Sequence, residues 1–184
     1  MTGADNAPTR DLADDQASDR RPANPGARAI RIAGPDLEFR DARIDGHEVD
    51  GRRIAEVAGA VPTDEHLVYQ MLPNGDLEDI RLEEPVDLRK PGAERFVVFR
   101  SAASNRLEID QRRIDWGAAA ITGLVLKKLA GLEGDKLRQY GVWLEAQGQG
   151  GEDRPIADDE IVRVDPEGLE RFFTGQKAIT EGAQ

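Results

Sequence analysis

The carboxyl end of the chain, from Arg171 to Gln184, combines an aromatic pair with a glycine close to the terminus. Phe172 and Phe173 are typical of the end of a buried strand. The sequence then reads TGQKAITEGAQ, which has no apolar periodicity and places Gly182 two residues before the end. A domain that ends in this way is suited to presenting an extended segment. Because termini commonly fray and glycine is common, the tail alone does not establish a function.

The other residue types that could do chemistry are sparse. The chain has no Cys, which removes disulfides, thiolate metal ligands and a cysteine nucleophile. His47 and His66 have no Ser or Cys partner pattern, so we interpret them as surface residues. The acidic residues Glu152, Asp153 and Asp158–Glu160 lack the spacing of a metal-binding loop and are predicted to be solvated. The sequence therefore predicts no catalytic site, metal or cofactor, and a substrate of enzymes rather than an enzyme.

Composition limits the class of protein further. The formal net charge is −11, with 36 acidic against 25 basic residues. A nucleic-acid-binding protein would normally carry a basic face, so this class is disfavoured, and an acidic surface favours basic partners. No apolar run approaches the roughly 20 residues of a membrane span, and the amino terminus lacks the apolar core of a signal peptide. We therefore expect a cytoplasmic protein that binds neither nucleic acid nor membrane.

An internal repeat positions the tail. The helix-like segment DGRRIAEVAG at 50–59 aligns with TGLVLKKLAG at 122–131, an offset of 131 − 59 = 72. The tripeptide ERF at 94–96 recurs at 170–172, an offset of 170 − 94 = 76. A longer loop around Gln147–Gly151 in the second copy accounts for the difference of four. Two motifs in the same order at nearly equal offsets indicate a duplication.

Each copy reads as two strands, a helix and three further strands. In the first copy, alternating apolar residues around the turn at 34–36 predict a hairpin with strands at Ile30–Ile32 and Leu37–Phe39. Asp50 is a predicted helix N-cap, and Gly59 is a predicted left-handed residue at the helix end. The apolar run FVVF, which begins at Phe96, predicts the last buried strand.

The second copy follows the same order. Thr122 and Gly131 take the corresponding positions at the two ends of its helix. Trp116 and Trp143 fall on predicted strands, and both are expected in the core. Phe172–Phe173 end the sheet. Neither copy shows the second helix that a ferredoxin-like unit needs.

These elements have few compact arrangements, and the helix must lie across a small mixed sheet whose first and last strands pair in the middle. We predict an α+β protein of two tandem β-grasp domains, each with one main helix, behind a disordered amino-terminal arm that is too poor in apolar residues to fold. The predicted boundaries are 1–28 for the arm, 29–100 for the first domain, 101–105 for the linker, 106–174 for the second domain and 175–184 for the tail.

In these features the chain resembles the bacterial multiubiquitin-domain family, β-grasp relatives of ubiquitin, over roughly 29–100 and 105–182. The features that carry the resemblance are the two helix motifs, the run VDLRKPGAERF at 86–96 with its counterpart VRVDPEGLERF at 162–172, and TEG at 180–182. Each feature is weakly specific alone. The helix motif and the ERF run occur in the same order in both copies, and together with the terminal TEG they are fairly specific.

The resemblance implies a protein modifier encoded beside ubiquitin-activating-like, conjugating-like and JAB-type metallopeptidase proteins, in operons linked to phage defence. It implies that Gly182 is the residue joined to target proteins, with Ile179, Thr180 and Glu181 recognised in the tail. Glycine has no Cβ, so it fits a narrow channel and leaves its carbonyl open to attack. Because Ala183 and Gln184 follow, we expect a metallopeptidase to cut between Gly182 and Ala183 first.

The first copy departs from this pattern, because no glycine stands between its last strand and the second copy. We therefore expect a tandem modifier attached as a block through Gly182. Two alternatives stay open. A non-covalent adaptor would dock partners through exposed sheet faces and leave the tail unused. A sulfur carrier is disfavoured because such carriers usually end in Gly-Gly and have a single domain.

Overall fold

The computed structural model describes residues 26–146 and 150–177. Most of the predicted amino-terminal arm and the end of the predicted tail lie outside these ranges. The tail residues that carry the predicted chemistry, namely Ile179, Thr180, Glu181, Gly182 and Ala183, are all among the residues outside.

The first domain is a mixed sheet with one helix packed on it. Its elements are β1 (Ala27–Ala33), β2 (Arg40–Asp45), β3 (Glu48–Asp50), α1 (Gly51–Ala58), a 3-10 turn (Thr63–Glu65), β4 (His66–Met71), β5 (Leu77–Ile80), β6 (Pro85–Asp87) and β7 (Arg95–Arg100). The strand order is β2-β1-β7-β4-β5, with β1 and β7 parallel and the other pairs antiparallel. β3 and β6 form a separate short ladder.

The second domain repeats this architecture. Its elements are β8 (Asn105–Ile109), β9 (Arg112–Trp116), β10 (Ala120–Thr122), α2 (Gly123–Leu129), α3 (Lys136–Gln139), β11 (Tyr140–Leu144), β12 (Arg154–Ile156), β13 (Ile161–Arg163) and β14 (Glu170–Gln176). The sheet order, β9-β8-β14-β11-β12, again places the parallel first and last strands side by side. The predicted fold class, two tandem β-grasp domains, is confirmed.

The ends of both main helices follow the sequence prediction. In each copy the N-cap side chain accepts a hydrogen bond from the backbone N–H three residues later, at 2.8 Å for Asp50 and 3.3 Å for Thr122. Gly59 and Gly131 have φ angles of 81° and 77°, a left-handed conformation that costs glycine little. The capping residues therefore set where each helix begins and ends.

A tertiary contact explains why glycine follows each N-cap. A Cβ on Gly51 would collide with the backbone carbonyl of Arg81, and a Cβ on Gly123 would collide with that of Ala157. In both copies the loop before the short ladder's second strand crosses directly over the helix start. The repeated DG and TG dipeptides therefore combine a cap with a close backbone approach.

The predicted second strand of the first hairpin is wrong. The strand is Arg40–Asp45, and Leu37 and Phe39 lie in the preceding loop. The N–H of Leu37 donates to the carbonyl of Gly34 at 3.1 Å, and the φ angle of Leu37 is 53°. A left-handed residue interrupts extended backbone, so the turn continues past the point where the apolar alternation suggested a strand.

Three further differences concern element bounds. The second domain contains the short helix α3, which no apolar periodicity announced because it has only four residues. β1 begins at Ala27 and β8 at Asn105, inside the predicted arm and linker. β14 continues through Gly175 and Gln176, which the sequence assigned to the tail. Within the described ranges, no helix is long and apolar enough to cross a membrane.

The face of each sheet turned away from its main helix is called here its outer face. The first outer face carries Leu67, Tyr69, Arg95, Val97 and Phe99, and the second outer face carries the equivalent residues Gly141, Trp143, Arg171, Phe173 and Gly175. The equivalence follows from strand register, because Tyr69 pairs with Val97 across β4 and β7 as Trp143 pairs with Phe173 across β11 and β14.

The first outer face packs against the second domain. The ring of Phe99 lies edge-on to that of Trp116, with centroids 4.7 Å apart, and edge-on to Tyr69 at 5.6 Å. A Cβ on Gly117 would lie only 2.5 Å from the Phe99 ring. One cluster of buried apolar residues therefore continues from the first outer face into the core of the second domain.

Polar contacts fix the orientation of the two domains. Arg112 Nη1 donates to the carbonyl of Asn74 at 3.0 Å and lies beside the carboxylate of Asp76, at 3.3 Å from Nη2. Lys128 forms an ion pair with Glu38. The sequence predicted two compact units on a linker, and the structure joins them into one packed body.

Candidate functional site

The carboxyl-terminal exit of the second domain is the candidate site. β14 lies in the middle of its sheet, between β8 and β11. Gly175 pairs with Gly141 and Gln176 pairs with Tyr140. The N–H of Lys177 then donates to the carbonyl of Gln139 at 2.8 Å. The central strand therefore holds the chain in register up to Lys177.

A clamp on the opposite side of β14 secures the same segment. The carboxylate of Asp110 accepts hydrogen bonds from Thr174 N at 2.8 Å and from Thr174 Oγ1 at 2.9 Å. The N–H of Asp110 donates to the carbonyl of Phe172 at 3.0 Å. Asp110 has a φ angle of 49°, which Asp tolerates better than most residues. Sequence analysis missed this residue, although its place at the tip of the predicted β8–β9 turn was the available signal.

An aromatic pair lies beside the exit on the second outer face. The rings of Trp143 and Phe173 are stacked, with centroids 5.7 Å apart and an interplanar angle of 12°. Both side chains are partly exposed. A Cβ on Gly141 or Gly175 would come within 2.7 or 3.2 Å of the indole, so the two glycines let the ring lie flat on the sheet. The prediction that Trp143 is a core residue is wrong, whereas Trp116 is fully buried as predicted.

The residues predicted to carry the chemistry follow directly after this exit. Gly182 is five residues beyond Lys177, and five extended residues span at most about 17 Å. The predicted processing bond between Gly182 and Ala183 is one residue further. The predicted recognition residues, Ile179, Thr180 and Glu181, fall between the last described position and Gly182. All of them lie outside the described residues.

The acidic residues near the second helix have structural partners. Asp158 forms an ion pair at 2.5 Å with Lys127, whose side chain is fully buried. Glu160 accepts hydrogen bonds from Arg154 and from the N–H of Ala157, and these contacts lower the pKa of its carboxyl. Within residues 26–146 and 150–177, no group of three or more His, Asp or Glu side chains is arranged to hold a metal ion. These acids therefore organise the loop between β12 and β13.

Of the two histidines predicted to lie at the surface, His47 is exposed, whereas His66 is only partly exposed and begins strand β4. Arg28 Nε donates to His47 Nδ1 at 2.9 Å, and the ring of His66 lies 2.8 Å from the carbonyl of Pro62. Both hydrogen bonds are exposed and local to the first domain. Among the described residues, neither ring is hydrogen-bonded to a Ser or Thr hydroxyl.

The motif VDLRKPG at 86–92 forms a tight turn rather than a reactive site. The carboxylate of Asp87 accepts hydrogen bonds from the backbone N–H of Arg89, at 3.0 Å, and from its guanidinium, at 2.9 Å. These contacts lower the pKa of Asp87 to about 2. In the second copy, Asp165 accepts from the N–H of Glu167 at 2.9 Å, the same local arrangement.

Comparison with known proteins agrees with this architecture. A sequence model described as Multiubiquitin matches residues 34–101 and 106–177. The first match begins just after β1 and the second spans nearly all of the second domain. No curated protein matches the chain. Ubiquitin-like β-grasp domains are typically non-enzymatic, in keeping with a site built on a strand exit rather than on a constellation of reactive side chains. Two tandem matches that cover most of the chain show that it belongs to the multiubiquitin family of ubiquitin-like β-grasp proteins.

Proposed function

We propose that this chain is a cytoplasmic ubiquitin-like protein modifier of a bacterial ubiquitination-like pathway, processed after Gly182 and joined through that glycine to target proteins. The observation that carries the proposal is the path of β14. This central strand ties the chain to the domain up to Lys177, so the residues that follow leave from a fixed point. Phage defence is the setting that we propose for the pathway.

Attachment requires three chemical steps. The carboxylate of Gly182 attacks the α-phosphate of ATP and releases pyrophosphate, on an activating-like enzyme. A nucleophile of that enzyme, and then of a conjugating-like enzyme, takes the acyl group, with AMP released in the first transfer. An amine of the target then attacks the acyl carbon, forms an isopeptide bond and frees the nucleophile. Glycine suits each transfer because it has no Cβ to shield the carbonyl.

Processing comes first. With Ala183 attached, Gly182 has no free carboxylate and cannot be adenylated. A JAB-type metallopeptidase that hydrolyses the peptide bond between Gly182 and Ala183 generates that carboxylate. A fully extended segment from Lys177 to Gly182 spans at most about 17 Å, a length that supports entry of the tail into an enzyme channel while the folded domain stays outside.

Attachment as a block is supported by the packing of the two domains. The chain leaves β7 at Arg100, and the N–H of Ser101 donates to the carbonyl of Glu65 at 3.1 Å before β8 begins. The stretch from Arg100 to Asn105 is short, contains no glycine and leads into a buried interface. It therefore offers a protease no counterpart of the tail around Gly182.

The proposal is tested with the full chain and candidate partner enzymes from its genomic neighbourhood. With the metallopeptidase, intact-mass spectrometry should show loss of everything from Ala183 onward. With the activating-like enzyme, the processed chain should support ATP–pyrophosphate exchange, and Gly182→Arg should abolish it. The matched control is Gly26→Ala, since Gly26 has open space around it. Cleavage at another bond, or exchange that survives Gly182→Arg, would contradict the proposal.

A non-covalent adaptor is the second candidate function, favoured by the partly exposed Trp143 and Phe173 on the second outer face. The two functions are separated by Gly182→Arg. In an adaptor this substitution leaves partner binding intact and no covalent adduct is ever formed. In a modifier it removes adducts that the unchanged chain forms.

A further inference from the structure

A cavity lies between the first outer face and the segment of the second domain that runs from α2 to α3. This interdomain cavity has a volume of about 440 Å³ and is partly open to solvent. Small-molecule sites in proteins have volumes of roughly 300–1,000 Å³, so the cavity is large enough to hold a ligand. Phe99 and Trp116, whose rings join the domains elsewhere on the same face, do not line it.

Both walls of the interdomain cavity are built from segments in which the two copies differ. In the first domain, residues 34–39 join β1 to β2, whereas Asp110 and Gln111 alone join β8 to β9. In the second domain, α3 directly precedes β11, where the first domain has a 3-10 turn before β4. The cavity therefore depends on two differences between the copies, one in each domain.

The sheet side of the cavity carries two arginines. Arg31 on β1 and Arg95 on β7 are register partners in the parallel strand pair, so their side chains leave the first outer face next to each other. At the same register the second sheet has Glu108 beside Arg171. Like charges in adjacent positions destabilise a sheet face, so the paired arginines favour an anion in the cavity that they line.

An aromatic ring holds both guanidinium groups in place. The Cζ atoms of Arg95 and Arg31 lie 4.4 and 5.5 Å from the centroid of the Phe39 ring, within the range of cation–π attraction. Two residues before Phe39, the buried Leu37 has a φ angle of 53°. A left-handed conformation is strained for leucine, and strain of this kind is concentrated at binding and catalytic sites. The β1–β2 loop is therefore preorganised around the arginines.

Arg95 is the arginine without an anionic partner. Arg31 lies 3.8 Å from the exposed Asp41. Lys128, the other cation of the cavity, is ion-paired with Glu38. Among the described residues, Arg95 forms no ion pair, and its buried Nε has no hydrogen-bond partner. A partly buried guanidinium that has lost hydration without gaining an acceptor is suited to a charge-assisted bond with an anionic ligand.

The opposite wall determines the rest of the ligand. Leu132 is buried and Leu137 is partly buried, and both present apolar surface to the cavity. Glu133, the acid on this wall, is exposed and forms no ion pair or side-chain hydrogen bond among the described residues. A second negative charge on a ligand would be repelled by Glu133. The wall therefore favours a ligand with an apolar body and a single negative charge.

We propose that the interdomain cavity binds a small carboxylate with an apolar body, such as a medium-chain alkanoate. The carboxylate accepts hydrogen bonds from Arg95, because a guanidinium fork matches the geometry of a carboxylate. The apolar body packs against Leu132 and Leu137. Since the two walls come from different domains, the ligand stabilises the packed body that the domains form. The proposal does not depend on processing or attachment at Gly182.

Octanoate is the probe that tests the proposal. It is titrated into the isotope-labelled full chain up to about 10 mM, to include weak binding, and followed by amide chemical shifts. The amides of Phe39, Arg95, Leu132 and Leu137 should shift and saturate at one octanoate per chain. From hexanoate to octanoate, each added methylene should lower the Kd about fourfold if the body is buried. Octylamine lacks the negative charge and inorganic phosphate lacks the apolar body, so neither should shift these amides.

Three variants test the role of charge. Arg95→Gln should raise the Kd of octanoate by about tenfold or more, since the carboxylate loses its charged donor. Glu133→Gln should lower the Kd, because it removes the negative charge from the opposite wall. The matched control is Arg171→Gln, the equivalent arginine on the second outer face, which should bind octanoate as the unchanged chain does. Should Arg95→Gln misfold, the opposite wall still decides, since a Kd that Glu133→Gln leaves unchanged or raises contradicts the proposal.

Four further results would overturn the proposal. Octanoate could cause no saturable shift up to about 10 mM, the upper limit for weak binding. The shifts could be confined to Trp143, Phe173 and their neighbours, which would place octanoate on the second outer face. A folded Arg95→Gln chain could bind octanoate as tightly as the unchanged chain. Octylamine or inorganic phosphate could shift the cavity amides as octanoate does. Because the assay contains neither ATP nor partner enzymes, none of these results bears on the proposed modifier function.

Discussion

On the first outer face, Phe99 is fully buried against Trp116, whereas the equivalent position on the second outer face is Gly175 and has no side chain. The sheets share strand order and register, so the difference lies in the residues that the outer faces carry. On the first outer face the projecting ring of Phe99 packs against the second domain. A glycine at the equivalent position of the second outer face lets the indole of Trp143 lie flat, and no other described part of the chain buries Trp143 or Phe173 fully.

The comparison shows how a duplicated fold can separate two roles. The covered face joins the domains into one body through a shared apolar core, and burial of aromatic rings dominates such contacts. The open face adjoins the strand that carries the chain out to Gly182. Substitutions at the covered interface and at the open face test this difference.

The largest expected effect is that of Phe99→Ala. Removal of a fully buried ring from the covered face should lower the free energy of unfolding by about 3–5 kcal/mol. The matched substitution Phe173→Ala, on the open face, should cost about 1 kcal/mol, since it removes a partly exposed ring and one stacking contact. Urea unfolding of both variants measures the difference. Equal losses would show that the second domain does not cover the first outer face.

Gly117→Ala should have the next largest effect on the free energy of unfolding. Its Cβ would lie 2.5 Å from the fully buried Phe99 ring, so one of the two packed segments must move. Overpacking of this kind costs about 1–3 kcal/mol. Gly26→Ala, which adds a methyl group in open space, is the control and should change the unfolding midpoint little. An unchanged midpoint for Gly117→Ala would argue against the close contact between the domains.

Arg112→Ala tests the polar part of the covered interface. The variant loses hydrogen bonds to the carbonyls of Asn74 and Leu129, and we expect a loss of about 1 kcal/mol because the side chain is about one-third exposed. Arg40→Ala removes the equivalent bond to Ala58 without any contact to the other domain, and should cost less. Thermal unfolding of the two variants ranks them, and the reverse order would contradict the role of Arg112.

The smallest expected effect concerns pH. Partial desolvation, with negative charge from Glu84 and from Asp115 across the interface, raises the pKa of Asp79 above its usual 3.8. The folded state therefore binds this proton more tightly than the unfolded state does. As pH rises through the raised pKa, the carboxyl ionises in an unfavourable site and the free energy of unfolding falls. Asp79→Asn should flatten that loss of stability just above pH 3.8. Urea midpoints measured across this window provide the test.

Asp87→Asn should act with the opposite sign. Hydrogen bonds from Arg89 lower the pKa of Asp87 to about 2, so its contribution is complete above the unfolded value of 3.8 and is lost as pH falls toward 2. The variant should therefore lose stability above pH 3.8 and match the unchanged chain near pH 2. The same sign for both variants would show that the two carboxyls do not differ in environment.

Much of each domain could be predicted from local sequence. The caps at Asp50 and Thr122 and the left-handed glycines at helix ends act through bonds within a few residues, so the pattern that encodes them is contiguous. The pairing of the first and last strands in the middle of the sheet followed from the position of the most apolar segments. The β2 strand escaped prediction because Leu37 adopts a left-handed conformation that apolar alternation does not encode.

The candidate site was predicted only in part. The sequence placed the end of the last strand near Phe173, whereas β14 continues to Gln176. That Gly182 lies in a tail beyond this strand stays a prediction. The sequence did not show the clamp between Asp110 and Thr174, which joins residues 64 positions apart. It also placed Trp143 in the core. The sequence pattern of a strand does not show which of its apolar residues lie on the face that packs against the helix and which lie on the outer face.

By itself, the sequence determined the duplication and the β-grasp fold of each copy, because these depend on short motifs, periodicity and order along the chain. The tail around Gly182 stays a prediction from the sequence. Only the tertiary structure decided that Phe99 packs on Trp116 and Gly117 while Trp143 remains partly exposed. That outcome depends on how the surfaces of two folded domains fit together. No local pattern records such a fit, since the residues that meet are distant in sequence and chosen by shape.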